Sequence, residues 1–239
     1  MGKVKLFVLA VVLAAIGVSA IGAGSASATL MCVVAPEGEA VLKCPEPGKF
    51  AYGVDFIPGS HIAGTLTGNA TLELVGSGTV TCNQSTFTLA LKTNGTSKAG
   101  EGITETSFKS GGGNCTAKVG VNTAAQVVAE NLSYDATSVV YEGVASPQGS
   151  MTVAKAGGQV QYKIVLLPAF LTCFYQPSEA LKGSWVNANG GTQSQVTFTG
   201  KTFAKTPASA AGCPEKMRLS ATYNLKAQLE NKEIYVASE

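Results

Sequence analysis

A long stretch with an apolar residue at every second position limits the fold of this chain more than any other feature. Between residues 217 and 227, apolar and polar side chains alternate without a break. A period of two places alternate side chains on opposite faces of a β-strand, one face buried and the other in water. Phe87, Leu89 and Leu91 alternate with threonines in the same way. The sequence therefore predicts an all-β protein.

Turns rich in glycine and asparagine punctuate the predicted strands. Three of them are Asn94-Gly95, Gly157-Gly158 and Asn189-Gly190-Gly191. Such residues adopt the positive φ that a tight hairpin turn requires. Gly157-Gly158 is predicted to join strands at 151–153 and 160–166 as a hairpin. Helical patterns are weak and confined to 121–130 and 178–182, where one or two turns of helix are the alternative to strand or loop.

The first 28 residues have the pattern of a secretory signal peptide. A short basic stretch that contains Lys3 and Lys5 precedes an apolar run over 6–18, and small residues follow up to Ala28. The order basic, apolar, small matches what signal peptidases cleave. We expect cleavage before Thr29, a secreted or extracellular protein, and no membrane span after cleavage. An uncleaved anchor is the alternative, although Ser19, Gly22 and Gly24 dilute the apolar run.

Six cysteines follow this leader, which predicts disulfide bonds in an exported chain. Six cysteines allow fifteen pairings. We predict sequential pairing, supported for the last two bridges by an internal repeat described below. The predicted bridges are Cys32–Cys44, Cys82–Cys115 and Cys173–Cys213. Zinc binding is the alternative, but no C-x-x-C is present and His61 is the only histidine.

A weak internal repeat suggests two related units. The order Thr-Cys, strand, Asn-Gly, strand, Phe, Cys occurs once between Thr81 and Cys115 and again between Thr172 and Cys213. We predict a disulfide-stapled β-sandwich architecture of two related antiparallel units, residues 29–145 and 146–239, after the signal peptide at 1–28. One large sandwich is the alternative, because all-β domains of this length are also found as single units.

Charge excludes several classes of protein. Only 13% of the residues are charged, about half the usual share, while 45% are hydrophobic. Two of the 17 basic residues lie in the leader, so basic and acidic residues balance in the remainder. A nucleic-acid-binding protein would carry a clustered basic face, and a disordered chain would combine low hydrophobicity with high net charge. We expect neither.

Candidate catalytic residues are few. His61 follows the turn signal Pro58-Gly59-Ser60 and is predicted to face solvent or to start a strand. Glu101 and Glu105 could act as paired carboxylates in a hydrolase, as could Glu37 and Glu39. Because Glu101 lies in a glycine-bearing segment, a solvated loop charge is the preferred interpretation. We therefore predict no enzymatic activity, no cofactor and no metal ion.

Four aromatic residues could form a stacking surface for a sugar or another ligand. They are Phe174, Tyr175, Trp185 and Tyr223. Trp185 occupies an alternating strand position, and a lone tryptophan in a sandwich is more often part of the core. A core position is therefore the preferred prediction, with ligand binding as the alternative.

Several short motifs are shared with one group of proteins. They are Thr81-Cys82, Thr172-Cys173, Cys213-Pro214 and the closing segments 219–223 and 234–236. Through these motifs the chain resembles a group of small secreted proteins of actinobacteria. The resemblance covers most of the chain after the leader. It implies export, a β-rich fold and a bacterial envelope or extracellular location, and it supplies no catalytic residues.

The sequence favours a secreted, non-enzymatic β-sandwich protein that binds a ligand or a partner at the cell surface or outside the cell. Binding of this kind uses loops at a sandwich end or an exposed sheet edge. The candidate loops are 93–102, 109–114 and 187–192. The alternatives are a hydrolase acting on carbohydrate or peptide and a structural envelope component that assembles through strand edges.

Overall fold

The computed structural model describes residues 28–34, 53–55, 58–188, 192–229 and 231–238, and within these ranges it contains strands and no helix. The all-β prediction is therefore confirmed. In the described ranges there is accordingly no helix with the length and apolarity needed to cross a membrane. The strands are β1 (Thr29–Val34), β2 (Gly53–Asp55), β3 (His61–Leu74), β4 (Gly78–Cys82), β5 (Gln84–Thr93), β6 (Ala99–Lys109), β7 (Cys115–Val119), β8 (Asn122–Glu130), β9 (Tyr134–Tyr141), β10 (Gly149–Val153), β11 (Gln161–Leu167), β12 (Leu171–Pro177), β13 (Leu181–Val186), β14 (Ser194–Lys205), β15 (Lys216–Ala227) and β16 (Ile234–Ser238).

The period-two pattern is fulfilled in β15, where every second side chain from Met217 to Ala227 is buried. The helical alternatives at 121–130 and 178–182 are wrong, because the first is mostly strand β8 and the second runs from a turn into β13. The helical pattern required Val128 to share an apolar face with Val127. In β8 these two side chains point to opposite faces, and Val128 is exposed.

Thirteen strands form one large antiparallel sheet that closes on itself at two places. Its terminal strands turn back: β5 also pairs with β3, and β12 also pairs with β14. Two closed circuits of strands result, and they share the long strands β3, β14 and β15. We call the circuit that also contains β5, β6, β9, β10 and β13 the capped circuit. The circuit that also contains β4, β7, β8, β11 and β12 is the open circuit.

The chain visits the two circuits in turn. After the β3–β4 hairpin of the open circuit, the β5–β6 hairpin belongs to the capped circuit, β7–β8 to the open one and β9–β10 to the capped one. The β11–β12 hairpin returns to the open circuit. Gly157-Gly158 therefore does not form a hairpin turn, because β10 pairs with β9 and β13 while β11 pairs with β8 and β12. This segment instead carries the chain from one circuit to the other.

The shared strands bend where the circuits diverge. β14 pairs with β13 through 195–197 and with β12 through 203–205, and its register with β15 shifts between Phe198 and Lys201. Gly200 lies inside this bulge with φ of 56°, and Gly68 lies at the matching irregularity of β3 with φ of 75°. Glycine tolerates this left-handed conformation without steric cost. The bulges thus let one strand serve both circuits.

One continuous hydrophobic core runs through both circuits and gives the sandwich-like arrangement that the sequence predicts. Edge-to-face contacts join Phe108 to Tyr162 and Tyr162 to Phe203 near the junction of the circuits. A cavity of about 30 Å³ lies beside them. Its lining consists mainly of apolar core side chains, so the cavity belongs to the core.

A separate three-stranded sheet, in the order β16-β1-β2, covers the end of the capped circuit. Two asparagine side chains attach it there, each pairing with both backbone polar groups of one residue. Asn94 accepts from Met31 N at 2.7 Å and donates to Met31 O at 2.9 Å. Asn187 accepts from Val236 N at 2.8 Å and donates to Val236 O at 2.7 Å. Each side-chain amide therefore makes the pair of hydrogen bonds that a residue of a neighbouring strand would make.

Two of the predicted disulfide bonds are confirmed, Cys82–Cys115 and Cys173–Cys213, with Cα atoms 4.6 and 5.6 Å apart. The internal repeat has a structural meaning. In the first half, Cys82 ends β4, the chain forms β5 and β6 of the capped circuit, and Cys115 begins β7 back in the open circuit. In the second half, Cys173 lies within β12, the chain forms β13 and the shared strand β14, and Cys213 lies in the connection that leads into β15. The predicted bridge Cys32–Cys44 falls on Cys44, which lies outside the described residues.

Strands from the two predicted units, 29–145 and 146–239, interleave in the large sheet. β3 of the first unit pairs along most of its length with β15 of the second. β1 pairs with β16 in the small sheet, although they come from opposite ends of the chain. Long-range pairings of this kind hold the two ranges together through backbone hydrogen bonds.

Candidate functional site

The predicted catalytic candidates do not assemble into a site. His61 is the first residue of β3 and is exposed, as the preceding turn signal predicts, and its carbonyl oxygen accepts a hydrogen bond from Gln228 N at 2.8 Å. Glu37 and Glu39 lie outside the described residues. In the described ranges, no three His, Cys, Asp or Glu side chains lie close enough together to hold a metal ion.

Glu101 is buried, and the prediction that it is a solvated loop charge is wrong. The strand β6 begins at Ala99, so the glycines around Glu101 belong to a strand and the carboxyl group points into the core. Its exposed fraction is 0%, and neither carboxyl oxygen has a hydrogen-bond partner. Burial raises the pKa of Glu101 to about 8, because an apolar environment disfavours the charged form. The carboxyl group is therefore protonated at neutral pH.

Glu105 lies on the same strand but is exposed. Register shifts near Glu101 and Ile103 change which side chains face inward, and Glu105 points to solvent. Glycoside hydrolysis needs two carboxyl groups that face one cleft. Glu101 and Glu105 face opposite sides of the sheet, so they do not form such a pair.

The aromatic residues considered for ligand stacking are mainly core residues. Trp185 is fully buried, as preferred above, and its indole nitrogen donates to Asn187 Oδ1 at 3.0 Å. Tyr175 is buried and donates to Pro214 O at 3.0 Å. Tyr223 is buried against Phe87, with its hydroxyl 3.0 Å from Ser85 Oγ. Phe174 is half-buried. These rings do not form a common surface.

Two of the three predicted binding loops are occupied by contacts within the molecule. The loops at 93–102 and 187–192 carry Asn94 and Asn187, the side chains that attach the small sheet. Residues 189–191 lie outside the described residues. The third loop, 109–114, is exposed but is fastened to its neighbour: Gly111 N donates to Asn83 Oδ1 at 3.3 Å, and Ser110 Oγ donates to Thr81 O at 3.3 Å.

A shallow groove of about 190 Å³ lies where β14 leaves β13. Glu179 and Lys201 contribute one charge of each sign to its lining. Two of the backbone groups that line it are engaged, because Gly200 N donates to Ser220 Oγ at 2.9 Å and Thr202 O accepts from Ser178 N at 3.1 Å. Within the described residues, the buried polar atoms without a hydrogen-bond partner belong to Glu101 and Thr206, and neither residue lines this groove. The groove therefore indicates no particular ligand.

The end of the open circuit that lies away from the small sheet is formed by hairpin connections. Four hairpin connections lie there, at 75–77, 120–121, 168–170 and 206–215, and their one charged residue is Glu215, the last residue before β15. We call this surface the loop face. The strand register places the four connections at one end, because Leu74 pairs with Gly78, Gly78 with Val119, and Met217 with Leu74. The loop face thus lies opposite the small sheet.

A buried asparagine joins two of these connections. Asn122 Nδ2 donates to Val119 O at 3.0 Å, and Asn122 Oδ1 accepts from Ala169 N at 3.1 Å. Val121 and Phe170 therefore lie on neighbouring tips, where 77% and 75% of their surfaces are exposed. Phe170 adopts φ of 52°, which is uncommon for a bulky residue. Such strained positions occur disproportionately at functional sites.

Further contacts close the ring of connections. Gly212 lies against the Leu171 side chain, and Ala210 N donates to Thr172 O at 3.0 Å, which fixes 206–215 beside β12. Val75 N donates to Lys216 O at 3.0 Å and joins the first connection to the last. The loop face is therefore one assembled surface made from segments far apart in sequence.

Charges appear only at the rim of the loop face, and they are unbalanced. Glu215 pairs with Lys205, and Glu73 lies 3.5 Å from Arg218. Lys118, near the end of β7, and Lys216, at the start of β15, are exposed and form no ion pair within the described residues. The loop face is thus bordered by two unpaired positive charges.

The loop face was not predicted from sequence. Its exposed residues, Val121 and Phe170, lie in short turns, and only the pairing of β8 with β11 brings those turns together. A usable signal was the absence of charge from these turns. Connections at the other end carry charged residues, such as Lys98 in 94–98 and Glu142 in 142–148.

Comparisons with known proteins give no match. No family model, no curated protein and no solved structure is similar to this chain.

Proposed function

We propose that this chain is a secreted, non-enzymatic protein that binds a partner at the cell surface or outside the cell through its loop face. The signal-peptide pattern of residues 1–28 supports export. The disulfide bonds Cys82–Cys115 and Cys173–Cys213 support an oxidising compartment outside the cytosol. The resemblance to secreted actinobacterial proteins favours a bacterial envelope location.

The observation that carries the proposal is the exposure of Val121 and Phe170 on two neighbouring turns, 120–121 and 168–170, that contain no charged residue. A contiguous apolar patch with a polar rim is typical of an interaction site, whereas scattered exposed apolar residues are not. The opposite end of the protein is already covered by the small sheet. No observation in the described residues favours the hydrolase alternative, because Glu101 and Glu105 point to opposite faces.

Binding of the purified protein to cell-envelope fragments of an actinobacterium tests the proposal. We expect saturable binding that weakens by about tenfold or more in the double variant Val121→Ser/Phe170→Asn, because two large apolar side chains are lost from the contact. Asparagine suits position 170, since it tolerates the left-handed conformation. The measurement is co-sedimentation across a range of protein concentrations.

The matched control is the double variant Val144→Ser/Leu229→Ser. These side chains are 89% and 90% exposed and lie in connections at the other end of the protein. The control removes as much exposed apolar surface and should bind like the parent protein. Equal binding by the two double variants, or no binding by the parent, would contradict the proposed function.

A further inference from the structure

We infer that the partner of the loop face is a lipid surface that carries anionic head groups. The inference rests on the proposed function and identifies the chemistry of its partner. Three features of the loop face support it: the two exposed apolar tips, the internal hydrogen bonds of the backbone beside them, and the unpaired lysines at the rim.

The exposed side chains at the tips of the loop face are of the kinds that suit the lipid–water interface. Phe170 and Val121 extend into solvent from neighbouring turns. Pro168 and Ala169 are also exposed beside them, and Gly120 adds no polar side chain. Transfer of aromatic and aliphatic side chains from water to the boundary between head groups and acyl chains is favourable.

Several backbone groups next to the tips form hydrogen bonds within the protein. Asn122 satisfies Val119 O and Ala169 N, and Ser77 N donates to Leu74 O at 2.8 Å. In the long connection, Cys213 N donates to Ala210 O at 3.0 Å. A backbone polar group that enters a lipid environment without a partner is costly. These internal hydrogen bonds reduce that cost.

The rim has the charge expected beside anionic lipid. Lys118 and Lys216 stand just behind the apolar tips, and the nearby acids Glu215 and Glu73 are each paired with a basic residue. A lysine with a long apolar stem can extend its ammonium group to a head group while the tips enter the interface. Lysines near an anionic membrane surface strengthen its attraction, and salt screens this effect. These features favour a protein partner less, because the exposed apolar side chains are confined to short hairpin turns.

Vesicle co-sedimentation tests the inference. The probes are vesicles of phosphatidylcholine alone and vesicles that also contain phosphatidylglycerol. We expect the parent protein to bind the anionic vesicles at least about tenfold more tightly, with an advantage that falls as salt is added. Val121→Ser/Phe170→Asn should lose binding to both, whereas Lys118→Gln/Lys216→Gln should lose only the preference for anionic lipid. Val144→Ser/Leu229→Ser should bind like the parent.

The outcomes separate this inference from the proposed function. Binding of the parent to vesicles, together with fragment binding that survives protease treatment of the fragments, supports a lipid partner. If the parent binds no vesicles but still binds untreated fragments through the loop face, the partner is a protein or a glycan and the lipid inference is overturned. If Val121→Ser/Phe170→Asn and the control bind fragments equally, the proposed function itself fails. Equal vesicle binding by these two variants would also overturn the inference.

Discussion

Replacing Glu101 with glutamine is expected to raise the free energy of unfolding at pH 8 by several kcal/mol. In the parent protein Glu101 is fully buried and without hydrogen-bond partners, and its pKa is raised from 4.5 to about 8. Each unit of difference between folded and unfolded pKa corresponds to about 1.4 kcal/mol. The total effect is therefore roughly 5 kcal/mol between the two pKa values.

The direction of the pH dependence follows from the raised pKa. Between pH 4.5 and about 8 the folded protein keeps the proton of Glu101 while the unfolded chain releases it. The unfolded state therefore binds fewer protons, and the free energy of unfolding falls as pH rises through this window. Glutamine cannot ionise, so Glu101→Gln should remove this fall. Below pH 4.5, where the acid is protonated in both states, the variant and the parent should be similarly stable.

Denaturant titrations at pH 4.5, 6 and 8 measure this effect. Glu105→Gln is the matched control, because Glu105 lies on the same strand with its side chain in solvent. The control should keep the parent's pH dependence. The same pH dependence in Glu101→Gln and the parent would show that the carboxyl group of Glu101 is hydrated in the folded protein, contrary to its burial.

Removing the Cys82–Cys115 bridge is expected to lower the free energy of unfolding by about 4 kcal/mol. The bridge joins residues 33 positions apart and encloses the β5–β6 excursion into the capped circuit. Without it, the unfolded chain gains the conformational freedom of that loop. Both cysteines are buried, so the double variant Cys82→Ala/Cys115→Ala avoids leaving an unpaired thiol in the core.

The second bridge supplies the comparison for this prediction. Cys173–Cys213 closes a separation of 40 residues. Because closure entropy changes slowly with loop length, Cys173→Ala/Cys213→Ala should show nearly the same loss. Denaturant unfolding of both double variants at one pH is the measurement. Parent-like stability in either variant would mean that its bridge does not restrict the unfolded chain as assumed.

The features of the fold that depend on local sequence pattern are predictable from the sequence. The alternation at 217–227 predicted β15, and the repeated Thr-Cys motifs predicted two disulfide bonds. The two circuits could not be predicted in this way, because they depend on which distant strands pair. The segment Gly157-Gly158 has the residues of a hairpin turn, yet its flanking strands pair elsewhere. Local turn chemistry allows a hairpin, and the long-range pairing decides whether it forms.

The candidate site was harder to predict for a related reason. Phe170 and Val121 are ordinary apolar residues in sequence, and only the three-dimensional arrangement distinguishes them from core residues by exposing them together. Glu101 was misassigned because the glycines beside it are typical of loops. In β6 those glycines instead allow close neighbours: a side chain at Gly100 would meet Thr93, and one at Gly102 would meet Lys92.

The most direct test of the central claim, that the loop face is the binding surface, is hydrogen–deuterium exchange with and without envelope fragments. We expect slower exchange on binding in peptides that contain 75–77, 120–121, 168–170 and 206–215. Peptides that contain 94–98 and 142–148, at the end covered by the small sheet, should exchange at unchanged rates. Slower exchange on binding at that end, with no change in the loop face, would contradict the account.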